Sequence, residues 1–202
     1  MSACAPAAAG ETPEVPFVRA FMGIEIDSCT RARLVRVQQA LKRSGAHVSW
    51  VPAGNIHLSL EFLGNTARDK LTDLSQALAE ACRAVSPFDL AVCGIGTFGG
   101  SRSPRVIWAG VEPCPPLTDL QARLHGLLRA LDIPLEDRPF KPHLTLGRVR
   151  SARGRQALAA ALPAFEIAAF GCCRVKEAVL LQSILHPGGA EYRRLSRALL
   201  GV

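Results

Sequence analysis

The sequence predicts an α+β fold built on antiparallel sheet, and three observations carry that expectation. Strand-like and helix-like stretches run strand, helix, strands, helix, strands, helix, strand, helix, strands, helix, without the regular alternation of a parallel β-α-β architecture. No Gly-rich phosphate loop follows a strand. A short pattern, His-Leu-Ser/Thr-Leu, is written at 57–60 and again at 143–146, each time beside a long helical stretch. That repetition suggests a duplicated unit of roughly half a chain.

Each element has its own local reason. "PFVRAFMGIEI" (16–26) is apolar, aromatic and β-branched enough for a strand. A helix follows, with Asp27 or Ser28 as N-cap, Leu34, Val37 and Leu41 on one face and Gly45 as the stop. "HVSWV" and "NIHLSLEFLG" read as strands. The next helix opens with a Thr66-x-x-Asp69 capping pattern and spaces Leu71, Leu74, Leu78 and Cys82 helically. "FDLAVCGIGTF" and "RVIWAGV" are strands joined by the Gly/Ser/Arg loop at 99–104. A third helix sets Leu117, Leu120, Leu124 and Leu128 inward, with Pro134 past its end. "KPHLTLGRV" is a strand, "RQALAAALP" a short helix closed by Pro163, "AFEIAAFGCCRVKEAVLLQSIL" one or two strands, and "AEYRRLSRALLG" a last helix.

Composition sets the class. A chain of 202 residues, 49% hydrophobic and 20% charged, can bury a substantial core and has the makeup of an ordinary globular protein. No apolar stretch approaches a membrane span, and residues 1–15 lack a signal-peptide pattern, so they are expected to be a flexible leader to a single domain at 16–202. The seven cysteines are odd in number, scattered, and show no C-x-x-C spacing, which favours a reducing cytoplasm over a disulfide framework or zinc site. Net charge is +7, and Lys42, Lys70, Lys141 and Lys176 are the only lysines among 24 basic residues. Arginine's planar fork suits phosphate, which fits an anionic or nucleic-acid partner. A GC-rich genome would produce the same Arg-rich, Lys-poor balance.

The repeated tetrapeptide carries the chemistry. On a strand, alternate side chains share a face, so His57 and Ser59 stand together opposite Leu58 and Leu60, as do His143 and Thr145 opposite Leu144 and Leu146. Brought together, the two strands would line a cleft with two imidazoles and two hydroxyls. With ordinary values near pH 6.5, one imidazole can take a proton from water while the other gives one to a leaving oxygen. The hydroxyls can donate to the non-bridging oxygens of a phosphoryl group. In-line displacement at a phosphodiester fits this set best, and it needs no metal. Two histidines and a third ligand could instead hold zinc, but no H-E-x-x-H is present and Glu61 and Asp137 lack ligand spacing. His47 opens a strand, His125 is expected exposed at the edge of a helix, and His186 is expected in a solvent-facing turn.

Five blocks, in order, then carry a resemblance over nearly the whole chain after residue 15: "VRAFMGIEI", "NIHLSLEFLGNT", "SPRVIWAGV", "PFKPHLTLGRV" and "LLQSILHPGGAEYRRL". Together they resemble RNA 2′,3′-cyclic phosphodiesterases of the 2H phosphoesterase superfamily, also called 2′-5′ RNA ligases. The resemblance implies a bilobal α+β fold: two mainly antiparallel sheets with flanking helices, related by a pseudo-two-fold. Both H-x-[ST] strands would line its cleft. It implies opening of a terminal 2′,3′-cyclic phosphate to a 2′-phosphate without metal or other cofactor. His57 would be the proton donor and His143 the acceptor, with Ser59 and Thr145 holding the phosphate. Nothing in the strand argument itself tells the two histidines apart. Arg148, two residues beyond Leu146, is expected on the His143/Thr145 side if the strand continues, as a further phosphate contact.

Ser59 stands where the family usually has Thr; it keeps the donor and loses only the methyl that stiffens χ1. Phe98 and Trp108 could stack a base or simply pack in the core. Arg102 and Arg105 could meet RNA phosphates, and Tyr192 could pack near the cleft. The implied partners are RNA with cyclic phosphate ends or small cyclic nucleotides, with no membrane and no obligate protein partner, and the implied state is a monomer. Two rival functions stand beside this one: ATP-independent 2′-5′ ligation as the reverse reaction, and a non-catalytic nucleotide- or RNA-binding module.

Overall fold

Every strand pair is antiparallel, and the pairing explains why so many short apolar runs are spread along the chain. The computed structural model describes residues 16–100, 103–187 and 189–202, so the expected leader and Arg102 lie outside the described residues. The strands are β1 (Phe17–Glu25), β2 (Val48–Trp50), β3 (His57–Ala67), β4 (Phe88–Phe98), β5 (Val106–Val111), β6 (His143–Val149), β7 (Ala169–Val175), β8 (Glu177–His186) and β9 (Gly189–Leu199). The helices are α1 (Ser28–Lys42), α2 (Leu71–Arg83), α3 (Pro115–Ala130) and α4 (Arg155–Ala161). No helix among the described residues is long and apolar enough to cross a membrane.

The sheet order is β7-β4-β5-β6-β3-β1-β8-β9, with β2 paired on β6. From the centre outward, β3-β1-β8-β9 on one side answers β6-β5-β4-β7 on the other. The two halves meet through one residue pair, Leu58 with Leu144. The α+β architecture and its two antiparallel halves therefore agree with expectation, joined at a single rung. The halves are also interleaved: β4 follows α2 but pairs with β5, and the chain returns at its end to lay β8 on β1. Helix α3 packs against β3, α1 against β7, and α2 against α3, β8 and β9.

Local signals account for most elements. Asp27 caps α1, its Oδ1 accepting from the backbone N–H groups of Cys29 (2.8 Å) and Thr30 (2.9 Å). Leu34, Val37 and Leu41 of α1 and Leu117, Leu120, Leu124 and Leu128 of α3 are buried, as their spacing predicts. Three expectations fail. The segment 190–201 is mostly strand β9 rather than a helix, because the facing β8 supplies a hydrogen-bonding partner along its whole length. Its many charges then suit an exposed edge. Thr66 is not a helix cap: β3 runs on to pair Ala67 with Phe17, Thr66 is buried opposite Val18, and α2 begins at Leu71. Pro163 does not close α4 but sits inside a 3-10 turn at Leu162–Phe165 that continues it.

Candidate functional site

His57 and His143 open β3 and β6, next to the single rung that joins the halves. Both imidazoles are held the same way. His57 Nδ1 lies 2.7 Å from the Asn55 carbonyl oxygen, and His143 Nδ1 lies 2.7 Å from that of Lys141. A carbonyl can only accept, so each Nδ1 carries a proton and each Nε2 is left for other work. His57 Nε2 is 3.0 Å from Ser59 Oγ. Burial pushes the His57 imidazole below the ordinary histidine value, opposed by the Asn55 carbonyl and Glu25 and assisted by the nearby charge of His143.

Aromatic rings fix both imidazoles. Phe21 is tilted against His57 at 4.7 Å between ring centres, and Tyr192 meets it edge-on at 5.2 Å. Phe98 meets His143 edge-on at 4.9 Å, with Trp108 behind both. Two glycines allow these approaches. A Cβ at Gly23 would lie 2.6 Å from the Leu58 carbonyl oxygen and 3.4 Å from His57 Cδ2, and one at Gly96 would lie 2.2 Å from the Trp108 indole. Burial also raises the Tyr192 phenol above its usual value, with Arg148 and Arg19 pulling it back.

A matching irregularity lies just past each motif. β1 pairs Gly23 with Ser59 and Met22 with Glu61, leaving Leu60 as an extra residue; β5 pairs Trp108 with Thr145 and Ile107 with Gly147, leaving Leu146 extra. Such bulges reverse the side-chain alternation beyond them. Strict alternation would have grouped Arg148 with Leu144 and Leu146. The bulge instead turns it toward the side of His143 and Thr145, where it lines the same cavity as they do. The Leu146 carbonyl is held by the Val51 N–H (2.9 Å) and by the buried Gln38 side chain (2.9 Å). By the same reversal, Glu61 turns away from the Ser59 face toward α3.

A cavity of about 740 Å³ collects Ser59, His143, Thr145, Arg148, Phe98 and Arg105. A neighbouring cavity of about 1070 Å³ is lined by Phe21, Asn55 and Tyr192, and the two adjoin at Phe62, Glu136 and Arg148. His57 stands between them, reaching the first through Ser59 and packing on two walls of the second. All six residues singled out from the sequence are thus gathered in one region, and Tyr192 joins them. His125 is the residue the sequence undervalued: rather than lying exposed on a helix edge, its side chain is 28% exposed, bonded to Glu61, and part of the first cavity's wall. Its helical spacing four residues after Gln121 was the available signal. His186 is exposed as expected and paired with Glu191, but it ends β8 opposite Gly189 and the turn begins after it.

The chain is similar to known proteins over most of its length. The profile of the 2′-5′ RNA ligase superfamily matches residues 27–187. The RNA 2′,3′-cyclic phosphodiesterase of Methanothermobacter thermautotrophicus is 34% identical over 181 residues, 87% of this chain and 95% of that one. Among solved structures, TT0787 of Thermus thermophilus superposes with a TM-score of 0.77 at 29% identity, covering 91% of this chain and 98% of that one. Escherichia coli LigT complexed with 3′-AMP gives 0.73 at 26%, with the same coverage.

Proposed function

The chain belongs to the 2′-5′ RNA ligase superfamily, and on that footing we propose that it hydrolyses RNA 2′,3′-cyclic phosphate ends to 2′-phosphate ends. The observation that carries the reading is the matched pair of imidazoles, each with Nδ1 on a backbone carbonyl, His57 Nε2 meeting Ser59 Oγ and His143 Nε2 without a hydrogen bond among the described residues. A binding module has no use for two such nitrogens at the centre of its fold. The name of the Methanothermobacter relative and the 3′-AMP bound to LigT support the substrate class.

In the proposed reaction, His143 Nε2 takes a proton from water as its oxygen attacks phosphorus. The bond from phosphorus to O3′ breaks on the opposite side, and His57, entering the reaction doubly protonated with Nδ1–H kept on the Asn55 carbonyl, gives its Nε2 proton to that leaving oxygen. The assignment of donor and acceptor follows the resemblance. Ser59 and Thr145 donate to the non-bridging oxygens, where negative charge builds, and Arg148 adds a cation. Phe98 offers a ring to the base. Acid, base and oxyanion donors are all side chains, so the scheme asks for no metal. With the 5′-hydroxyl of an RNA in place of water, the same displacement of O3′ would form a 2′-5′ bond without ATP.

The test is a short RNA ending in a 2′,3′-cyclic phosphate, incubated in excess EDTA with wild type, His57→Ala and His143→Ala. Wild type should give a 2′-phosphate by phosphorus NMR, and each variant should lose at least about 100-fold in rate, the usual size of an acid–base contribution. Intact substrate with wild type, or variants as fast as wild type, would overturn the reading.

A further inference from the structure

Beyond the histidine pair, the first cavity runs back between β3 and the segment 138–143 to α3. At its rear wall the buried Glu61 carboxylate is engaged twice through Oε1, by Gln121 Nε2 at 2.7 Å and by His125 Nδ1 at 2.8 Å. Gln121 and His125 are one helical turn apart on α3, so they reach the same carboxylate from one face. A carboxylate withdrawn from water must be fully partnered, and this one is partnered by two side chains that also line the cavity. Glu61 thereby fixes the orientation of the His125 ring, whose Nε2 makes no hydrogen bond among the described residues.

The same cavity is cationic beyond what the reacting phosphate needs. Besides Arg148, the cavity lining holds Arg105 and Lys141, neither of which has an ion-pair partner among the described residues, and Arg138, paired loosely with Glu136 at 3.8 Å. Ser59 and Glu61, on either side of the bulge, both line this cavity, Ser59 beside the histidines and Glu61 against α3. A base in this position would have no use for several cations, whereas a second phosphodiester would. At about 740 Å³ the cavity is also large for one cyclic phosphate.

We propose that this part of the cavity seats the nucleotide unit preceding the reacting end, and that His125, held by Glu61 and Gln121, contacts that unit, with Arg105 and Lys141 of the same cavity lining drawing its phosphate. The proposal rests on the hydrolytic reading above and assigns the site's preference for an RNA end over a lone cyclic nucleotide to these residues. Binding energy taken from this remote unit is available to orient the reacting phosphate.

The experiment compares adenosine 2′,3′-cyclic phosphate with the dinucleotide ApA ending in a 2′,3′-cyclic phosphate. Wild type, His125→Ala and His125→Gln are used, with thermal melts to check folding. Wild type should prefer the dinucleotide in kcat/KM. His125→Ala should shrink that preference about tenfold, chiefly through KM, and His125→Gln should restore part of it. A merely structural role would lower both substrates together and leave the ratio alone. An unchanged ratio in His125→Ala, or no preference in wild type, would overturn the proposal. Should wild type cleave neither substrate, the hydrolytic reading falls. The seat is then read from binding of pApA against AMP: selective loss of pApA affinity in His125→Ala supports it, and equal affinities in the two proteins refute it.

Discussion

At the scale of single residues, what distinguishes the two histidines is their surroundings. Each has Nδ1 on a carbonyl two residues back, and at His57 burial among Phe21 and Tyr192 favours the neutral ring. Its folded value lies below the unfolded 6.5, so as pH falls through that window the unfolded chain takes up a proton that the native ring resists. Stability contributed by the neutral ring is present above about 6.5 and is lost as pH drops through the folded value. Replacement by Gln, which keeps a polar group and cannot titrate there, should flatten the acid side of the stability profile. Urea midpoints of wild type and His57→Gln from pH 7.5 to 5 measure this, and parallel curves would refute it. The two motifs named both imidazoles and both hydroxyls from the sequence, whereas His125 carried no comparable pattern.

At the scale of elements, the paired bulges after Ser59 and Thr145 matter most. They leave the first three residues of each motif in regular alternation and then re-aim the residues beyond, sending Arg148 into the cavity and Glu61 toward α3. Alternation read along one strand cannot show this, because a bulge exists only relative to a partner strand. Gly23 sits opposite Ser59, next to the first bulge. A Cβ there would meet a backbone oxygen at 2.6 Å, which no side-chain rotation can relieve. Gly23→Ala should therefore destabilise the fold by about 1–3 kcal/mol, as overpacked sites do. It should also lower kcat/KM by displacing the start of β3. Denaturation and steady-state kinetics on the purified variant check both. The misjudged last segment belongs at this scale too. Leu195 and Leu199 are spaced for a helix, but the ladder offered by β8 overrides so weak a periodicity.

At the scale of the whole molecule, the spacing of the two imidazoles depends on how two interleaved halves meet. Leu58 and Leu144, both fully buried, form the rung between them, and His57 and His143 are their immediate neighbours in sequence. Leu144→Ala should cost about 2–5 kcal/mol, the range for emptying a leucine site in a core. If the rung also sets the spacing of the imidazoles, kcat/KM should fall even under conditions where the variant is fully folded. Circular dichroism alongside kinetics separates the two effects, and full activity in the folded variant would show that the interleaved β4 and β8 hold the spacing alone.

The sequence by itself determined the antiparallel α+β class, the apolar faces of α1, α2 and α3, and the four side chains of the two motifs. These come from local periodicity and from residue chemistry, which need no partner to be read. Tertiary structure alone decided that the two halves join at one rung and that 190–199 is a strand. It also supplied the bulge that turns Arg148, expected on the His143 side, into the cavity, and it placed His125 in the cavity wall. Each of these depends on which distant segment supplies a hydrogen-bond ladder or a buried charge, and that is settled only when the chain closes on itself.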